Sequence, residues 1–502
     1  MQLLWGKNAK FRWLFLASIV MLFTCLGARE IWTQEHRWAD IVAAMFYHHD
    51  FFHPSLDGVD YYDKPLLSYW LIAGFAVLLG KLSAVALRLP SALAGLLAIW
   101  SIYSLGKSLK NKSLGLLSGW MLLTTFYFIF WARTSSADSL NLAGTLFAVS
   151  WYFAKKNHTR FIDYVVFFLI LAVTALCKGL IAPVSAALVI FPDLCMQGAW
   201  RKHLRLSVLF AMIPAAIIYV LPFWASSHFG NQTNYNENGL YLVYRENILR
   251  YFQPFDHKGP LYTYFVFLPV YLLPWTVFFI PALLAIKSRW KTMSAHSKWM
   301  VWSTGLFFLF LTLSGSRRNY YVLPLVPFAI LMTADWLLAV AETAKRNVWA
   351  GRLAITFFIL LFFVFDVAQP FYYAGGGEVA FATDVIQHAN QIKPWSQWNF
   401  VLLDPESKVR FYLALPPETK NYAITGDQRK LQTQTSLLTA WPVLRHPDPN
   451  TIYISRKLYE PILRGMFKNY EEVSARPGLG EKLVKKKDPN LSIAFIPIRN
   501  QD

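Results

Sequence analysis

The chain has 502 residues, of which 55% are hydrophobic, 17% aromatic and only 15% charged. Soluble globular domains carry about 25% charged residues, so this composition excludes a chain bathed in water along its whole length. The formal net charge of +19 does not point to nucleic acid, because the basic residues fall in short clusters between apolar runs, as cytoplasmic loops require, rather than on one basic face. Cys25, Cys177 and Cys195 all lie in or beside apolar stretches, with no spacing that reads as a disulfide framework or a zinc site.

The first apolar run, about residues 13–28, follows Lys7, Lys10 and Arg12. It has the outline of a signal peptide but no convincing small-residue cleavage site, so an uncleaved first helix is expected. A helix needs roughly 20 apolar residues to cross a bilayer. Eleven segments qualify, at about 13–30, 88–106, 114–131, 139–154, 163–177, 179–195, 206–225, 261–286, 299–314, 319–340 and 350–370. The loops KSLKNKS (107–113), KKNHTR (155–160), WRKHLR (200–205), KSRWKTMSAHSK (287–298) and AKRN (344–347) are basic. Placing them inside with the N-terminus follows the positive-inside rule and puts the alternate loops outside. The apolar stretch 66–80 is only about 15 residues long, a length that suits an interfacial helix better than a span. One more crossing there would turn all five basic loops outward.

From about residue 371 the composition changes. The GGG at 375–377 marks a break, and WNFVLLD, VRFYLAL, TIYISRKL and LSIAFIPI read as strands separated by helical pieces such as EVAFATDVIQHANQI. The predicted architecture is an α-helical polytopic membrane protein with about eleven transmembrane helices, juxtamembrane helices in a large first outer loop, and a small C-terminal α/β domain on the periplasmic side. The domains are 1–370 and 371–502.

Ionisable groups near membrane spans are costly and are functional candidates by default. Six clusters fall on the predicted outer side. WTQEHRWADIVAAMFYHHD (32–50) carries Glu35, Arg37 and Asp40 on an amphipathic helix, which also suits a plain solvated helix. DGVDYYDKPLLSYW (57–70) sets Asp63, Lys64 and Pro65 at a helix start, where an ordinary cap and an anion-facing end are both open. WARTSSADSLNLAG (131–144) carries Arg133 and Asp138. CKGLIAP (177–183) leaves Lys178 almost no loop, so it either snorkels or meets a charge. DHKGPLYTYF (256–265) carries His257, and SGSRRNYYVLP (314–324) holds Arg317 and Arg318 outside, against the charge rule, with Tyr320 and Tyr321 beside them. Together these offer carboxylates (Glu35, Asp63, Asp138), cations (Arg37, Arg133, Lys178, Arg317, Arg318) and an imidazole. Carboxylates suit a general base or a metal, and cations suit a phosphate leaving group.

Taken in order, TQEHRWADI, YYDKPLLSYW, ALRLPSALAGLLAIWSIYSLGKSL, ARTSSADSL, KGLIAP, DHKGPLYTYF and SRRNYYVLPLVP resemble the polytopic, lipid-phosphate-dependent glycosyltransferases that include the protein O-mannosyltransferases and the bacterial aminoarabinose transferase of lipid A. The resemblance covers about residues 10–370. It implies transfer of a sugar, with inversion, from a polyprenyl phosphate carrier to an acceptor hydroxyl or phosphate. It further implies that Arg37 contacts the acceptor side or orients the acid before it, and that Asp138 is the second-loop carboxylate. By the same likeness Lys178 binds the donor phosphate, with Arg317 and Arg318 at the basic end of a span that meets it; Arg133 joins this cationic set. Asp63 and His257 match positions linked to a divalent metal ion, the one cofactor implied. The family usually has Asp-Glu before the arginine of its first motif, with the Asp as base; here the pair is Gln34-Glu35. Either Glu35 takes the role, which is our assignment, or the base lies elsewhere, or the acceptor is already ionised.

The partners implied are a polyprenyl-phosphate-linked sugar, a lipid or glycan acceptor such as lipid A, and membrane lipids, in a bacterial inner membrane with the site facing the periplasm. A protein acceptor stays open. A transporter or flippase is the rival class, but the charges cluster at one face rather than at midplane, and the halves show no inverted repeat. A structural scaffold leaves the outward arginine pair unexplained.

Overall fold

The computed structural model describes residues 2–6, 8–32, 34–61, 64–198, 200–203, 205–228, 243–254, 257–340, 344–422, 441–484 and 488–498. The chain is mostly helical and divides into two compact units. One comprises Met1–Leu26, Asp50–Pro54 and Asp60–Val364; the other comprises Gly27–His49, Ser55–Val59 and Phe365–Asp502. The sequence suggests a division after residue 370; the compact units divide nearby, and the second also takes in the stretch that follows the first apolar helix.

Among the described residues five helices are long and apolar enough to cross a membrane, or six if one bent pair counts as a single span. The Ala84–Leu109 helix is capped by Ser83, whose hydroxyl accepts from Ala86 N at 3.2 Å. It packs on the Lys112–Leu123 helix with backbones touching: a Cβ added at Gly115 would run into the Tyr103 carbonyl, and one at Gly106 would sit 2.7 Å from Gly115 Cα. The predicted span 114–131 is that bent pair, Lys112–Leu123 and Phe126–Ala132, with 71° between them. Thr124 Oγ1 donates to Trp120 O at 2.7 Å and Thr125 Oγ1 to Met121 O at 2.8 Å, back-bonds of a kind that bend helices. The predicted span 261–286 is also broken, into Thr263–Tyr271 and Thr276–Leu284. Pro269, Pro274 and Pro281 each remove a backbone donor there. The short stretch 66–80 forms the 12-residue helix Leu67–Leu78, below span length as its sequence suggests.

The second unit holds a five-stranded sheet. Its order is Asn421–Tyr422, Asn399–Leu403, Thr451–Arg456, Ser492–Pro497, Tyr470–Ser474. The first three strands are parallel and the last two antiparallel to their neighbours. TIYISR and SIAFIP are buried along their whole length, which is why they read as continuous rather than alternating apolar runs. Phe381, Val385 and Ala389 of the Gly377–Ile392 helix cover Ile452, Ile454, Ala494 and Ile496 on one face. Leu444, Tyr459, Leu463 and Phe467 cover Tyr453, Ile493 and Phe495 on the other. Each valine, leucine, isoleucine or phenylalanine among them contributes about 1.5–3 kcal/mol by leaving water. The VRFYLAL stretch is a helical turn, Val409–Tyr412, not the strand its composition suggests. Val409 and Leu413, both 0% exposed, share the i,i+4 face that helix packing needs.

Within this same unit the juxtamembrane residues are tied to the C-terminal elements. Ile31 N donates to Tyr412 Oη at 2.8 Å, Glu30 pairs with Lys408 and accepts from Glu378 N at 2.5 Å, and Asp57 pairs with Arg410 at 2.6 Å. Asp40 lies on the Glu35–His48 helix. Burial pushes its carboxyl from the ordinary 3.8 up to about 7; the Arg410 guanidinium opposes this and Asp57 adds to it. The folded chain therefore keeps this proton where the unfolded chain has released it. The associated stability is present below the ordinary carboxylate range and is lost as pH rises through about 7. Asp40→Asn is expected to flatten the fall in melting temperature between about pH 5 and about pH 8. Thermal unfolding at the two pH values checks this, and an unchanged slope in the variant contradicts it.

Candidate functional site

Two helices of the first unit bring the central charges together. In Ala137–Lys155, Asp138 stands in the first turn, where Ser136 caps the helix and accepts from Asp138 N at 3.0 Å. In Phe161–Lys178, Lys178 stands in the last turn. Each charge thus sits at the helix end whose dipole favours it. Gly144 sets the approach: a Cβ there would overlap the Thr174 side chain, so the helices can lie this close only with glycine. Farther along the same pair of helices, Lys178 Nζ and the Asp138 carboxylate form a largely buried ion pair, at 12% and 10% side-chain exposure.

The chain leaves Lys178 through Gly179, whose φ of +111° suits glycine. Leu180 N then donates to Asn247 Oδ1 at 2.7 Å, and Asn247 Nδ2 donates to Val243 O at 2.8 Å. A Cβ at residue 179 would strike Asn247 Oδ1. Gly179→Ala is therefore expected to move the lysine and to lower activity roughly 10-fold to 100-fold, since small misplacements near chemistry cost that much. Turnover measured on folded, purified variant checks it, and wild-type turnover would show that the turn is not a positioning element.

Beyond Lys178 lies a continuous set of polar groups. Its ammonium is 5.0 Å from the Tyr321 ring centroid, Tyr321 Oη is 3.4 Å from His257 Nδ1, and Arg250 Nη2 is 2.8 Å from the same nitrogen. Arg250 in turn pairs with Glu246 at 2.6 Å. His257 has a φ of +54°, a backbone region non-glycine residues seldom adopt. Arg317 joins through the backbone, its N–H donating to His257 O at 2.8 Å, while its side chain donates to Thr312 O at 3.0 Å and Gly259 O at 2.5 Å. Arg318 donates to Tyr320 Oη at 3.3 Å.

Of the residues expected from sequence, Asp138, Lys178, His257, Arg317 and Arg318 therefore share one neighbourhood of the first unit. Arg133 is buried, and its guanidinium donates to the carbonyls of Met21 (2.5 Å) and Thr24 (2.7 Å), at the end of the Phe11–Phe23 helix. Glu35 and Arg37 belong to the second unit. Glu35 is 0% exposed, pairs with Arg29 at 3.1 Å and accepts from Trp32 N at 2.8 Å; Arg37 is half-buried on the same helix. Asp63 lies outside the described residues. Among the described residues no three histidine, cysteine, aspartate or glutamate side chains gather as a metal site, and His257 Nδ1 faces the Arg250 guanidinium. Glu246, Asn247 and Arg250 are not signalled by the sequence reading. Their one trace is the i,i+4 Glu-Arg spacing in ENILR, just before the DHKGP motif.

Residues 63–225 match the family model described as dolichyl-phosphate-mannose-protein mannosyltransferase. A relative named undecaprenyl phosphate-alpha-4-amino-4-deoxy-L-arabinose arabinosyl transferase, from Shewanella sediminis, is 25% identical over 69% of this chain and 64% of its own length. One of the same name from Pseudomonas aeruginosa is 27% identical over 64% of this chain and 58% of its own. The chain thus spans less than two thirds of the length of these relatives. ArnT from Cupriavidus metallidurans, solved bound to undecaprenyl phosphate, superposes with a TM-score of 0.70 at 15% identity over 98% of both chains, which shows a shared fold. With its multiple apolar helices the protein is a multi-pass membrane protein, and it is similar over part of its length to the protein O-mannosyltransferases and the aminoarabinose transferases, sharing the fold of the latter.

Proposed function

We propose that the protein is a membrane glycosyltransferase that moves a sugar from an undecaprenyl-type phosphate carrier to an envelope acceptor such as lipid A or another glycan. The observation that carries this reading is the Asp138–Lys178 pair, with Tyr321, His257 and Arg250 arrayed beyond it at converging helix ends. The carrier's tail lies among apolar helices and its phosphate meets Lys178, with Arg250, Arg317 and Arg318 supplying further positive charge. As the sugar C1–O bond breaks, negative charge grows on the phosphate. Cations fixed beforehand stabilise that state more than the ground state. Asp138 orients the lysine. The proposed topology keeps eleven crossings, with this cluster and the C-terminal sheet on the periplasmic side of a bacterial inner membrane.

Glu35 remains the proposed base, with Arg37 on the acceptor side, on the strength of the TQEHRWADI motif. Its Arg29 partner holds the carboxylate in place. The experiment is transfer of label from a radiolabelled polyprenyl-phosphate sugar into envelope lipid, in membranes carrying wild type or Glu35→Gln. Covalent product with wild type and a loss of about 100-fold in Glu35→Gln is expected. Wild-type rates in the variant move the base elsewhere. Movement of label across the membrane without product identifies a transporter instead.

A further inference from the structure

A second feature of the first unit lies at the opposite helix ends. Val277, Phe278 and Pro281 of the Thr276–Leu284 helix, Trp336 of Val326–Val340, and Arg346, Trp349 and Leu353 of Ala344–Phe362 line a groove of about 420 Å³. The basic loops 287–298 and 344–347 adjoin it, so the charge rule places it at the cytoplasmic leaflet.

The groove is apolar except at its rim, where cations and indoles alternate. The Arg346 guanidinium carbon is 5.8 Å from the Trp336 ring centroid, and that of Arg352 is 5.8 Å from the Trp349 ring centroid. Arg346 is exposed, and Trp349 is 64% exposed. Trp336 is 9% exposed, and its Nε1–H is buried with no acceptor among the described residues. What the groove offers a headgroup is therefore the Arg346 guanidinium, which stands over the Trp336 ring. Guanidinium groups recognise phosphate by paired hydrogen bonds, and the apolar walls suit an acyl chain.

We propose that this groove is a binding site for an anionic glycerophospholipid of the cytoplasmic leaflet, with its phosphodiester at the Arg346 guanidinium and an acyl chain along Val277, Phe278 and Leu353. Its position at the basic helix ends makes it a structural lipid site, separate from the residues assigned to transfer. A second copy of this chain would offer an apolar face but no phosphate for the Arg346 guanidinium.

The test is native mass spectrometry of the full-length protein, exposed in detergent to an equimolar mixture of phosphatidylglycerol and phosphatidylcholine with the same acyl chains. Retained phosphatidylglycerol is expected in clear excess. Arg346→Ala is expected to lower that excess about five-fold, the scale set by one cation near a lipid surface. Trp336→Phe leaves a smaller ring beside the Arg346 guanidinium and is expected to lower it as well. Arg346→Ala should retain wild-type melting temperature, and both variants should retain transfer. Equal retention of the two lipids, an excess unchanged by both substitutions, or a dimer that excludes lipid from the groove overturns the proposal.

Discussion

Lys178→Ala is expected to lose about 100-fold or more in turnover with a polyprenyl-phosphate sugar donor, corresponding to about 2.7–4 kcal/mol of barrier by analogy with the removal of one oxyanion donor. The figure rests on where the ammonium stands. It is held by the Asp138 carboxylate, placed by the Gly179 turn and flanked by the Tyr321 ring, so it reorganises little when charge develops on a phosphate beside it. A cation that acts on the leaving group lowers kcat and kcat/KM together when removed, whereas one that only anchors the carrier raises KM and leaves kcat alone. Lys178→Arg separates charge from geometry: guanidinium keeps the charge but not the compact ammonium shape, so partial activity is expected. Full turnover of Lys178→Ala in a purified assay would remove this residue from the chemistry and shift the assignment to Arg250, the cation reached through Tyr321 and His257.

The parts of this site visible in the sequence were those at helix ends. Asp138, Lys178, His257 and the Arg317–Arg318 pair each interrupt or border an apolar run, where an ionisable group is expensive enough to be conspicuous. Arg250 and Asn247 sit in the irregular helical segment Arg245–Phe252, which has no apolar period to contrast with, so nothing in one sequence separates them from ordinary loop residues. Arg133 was as conspicuous as Lys178, yet its guanidinium is engaged with carbonyls at the end of the first apolar helix; residue type reports the cost of burying a charge but not the partner that compensates for it. Spans were read by average hydropathy, which is blind to a break. Pro274 and the Thr124–Thr125 back-bonds each interrupt a run whose mean stays apolar. In the C-terminal unit the fully buried strands TIYISR and SIAFIP were legible as apolar runs. The strand Tyr470–Ser474 carries Glu471 and Glu472, charges suited to a sheet edge and poor in strand signal.

Asp138→Asn is expected to have the second largest effect, and an informative one. Removing one partner of a buried ion pair costs about 3–5 kcal/mol, because the remaining charge is left unsolvated. Lys178 keeps only 12% side-chain exposure, so the variant should melt well below wild type in the absence of donor. Polyprenyl phosphate should then restore more stability to the variant than to wild type, since the phosphate no longer competes with a carboxylate for the lysine. A ligand that binds the folded state stabilises it in proportion to the logarithm of its affinity, so a donor bound about ten-fold more tightly adds about 1.4 kcal/mol at saturation. Turnover should fall at the same time, because the asparagine no longer fixes the ammonium where charge develops. Paired thermal-shift titrations with polyprenyl phosphate read this directly. A greater shift in Asp138→Asn places the phosphate at Lys178. Equal shifts in the two proteins mean that the carrier's phosphate is held by other cations and that the Asp138–Lys178 pair serves only to lock the Ala137–Lys155 and Phe161–Lys178 helices together.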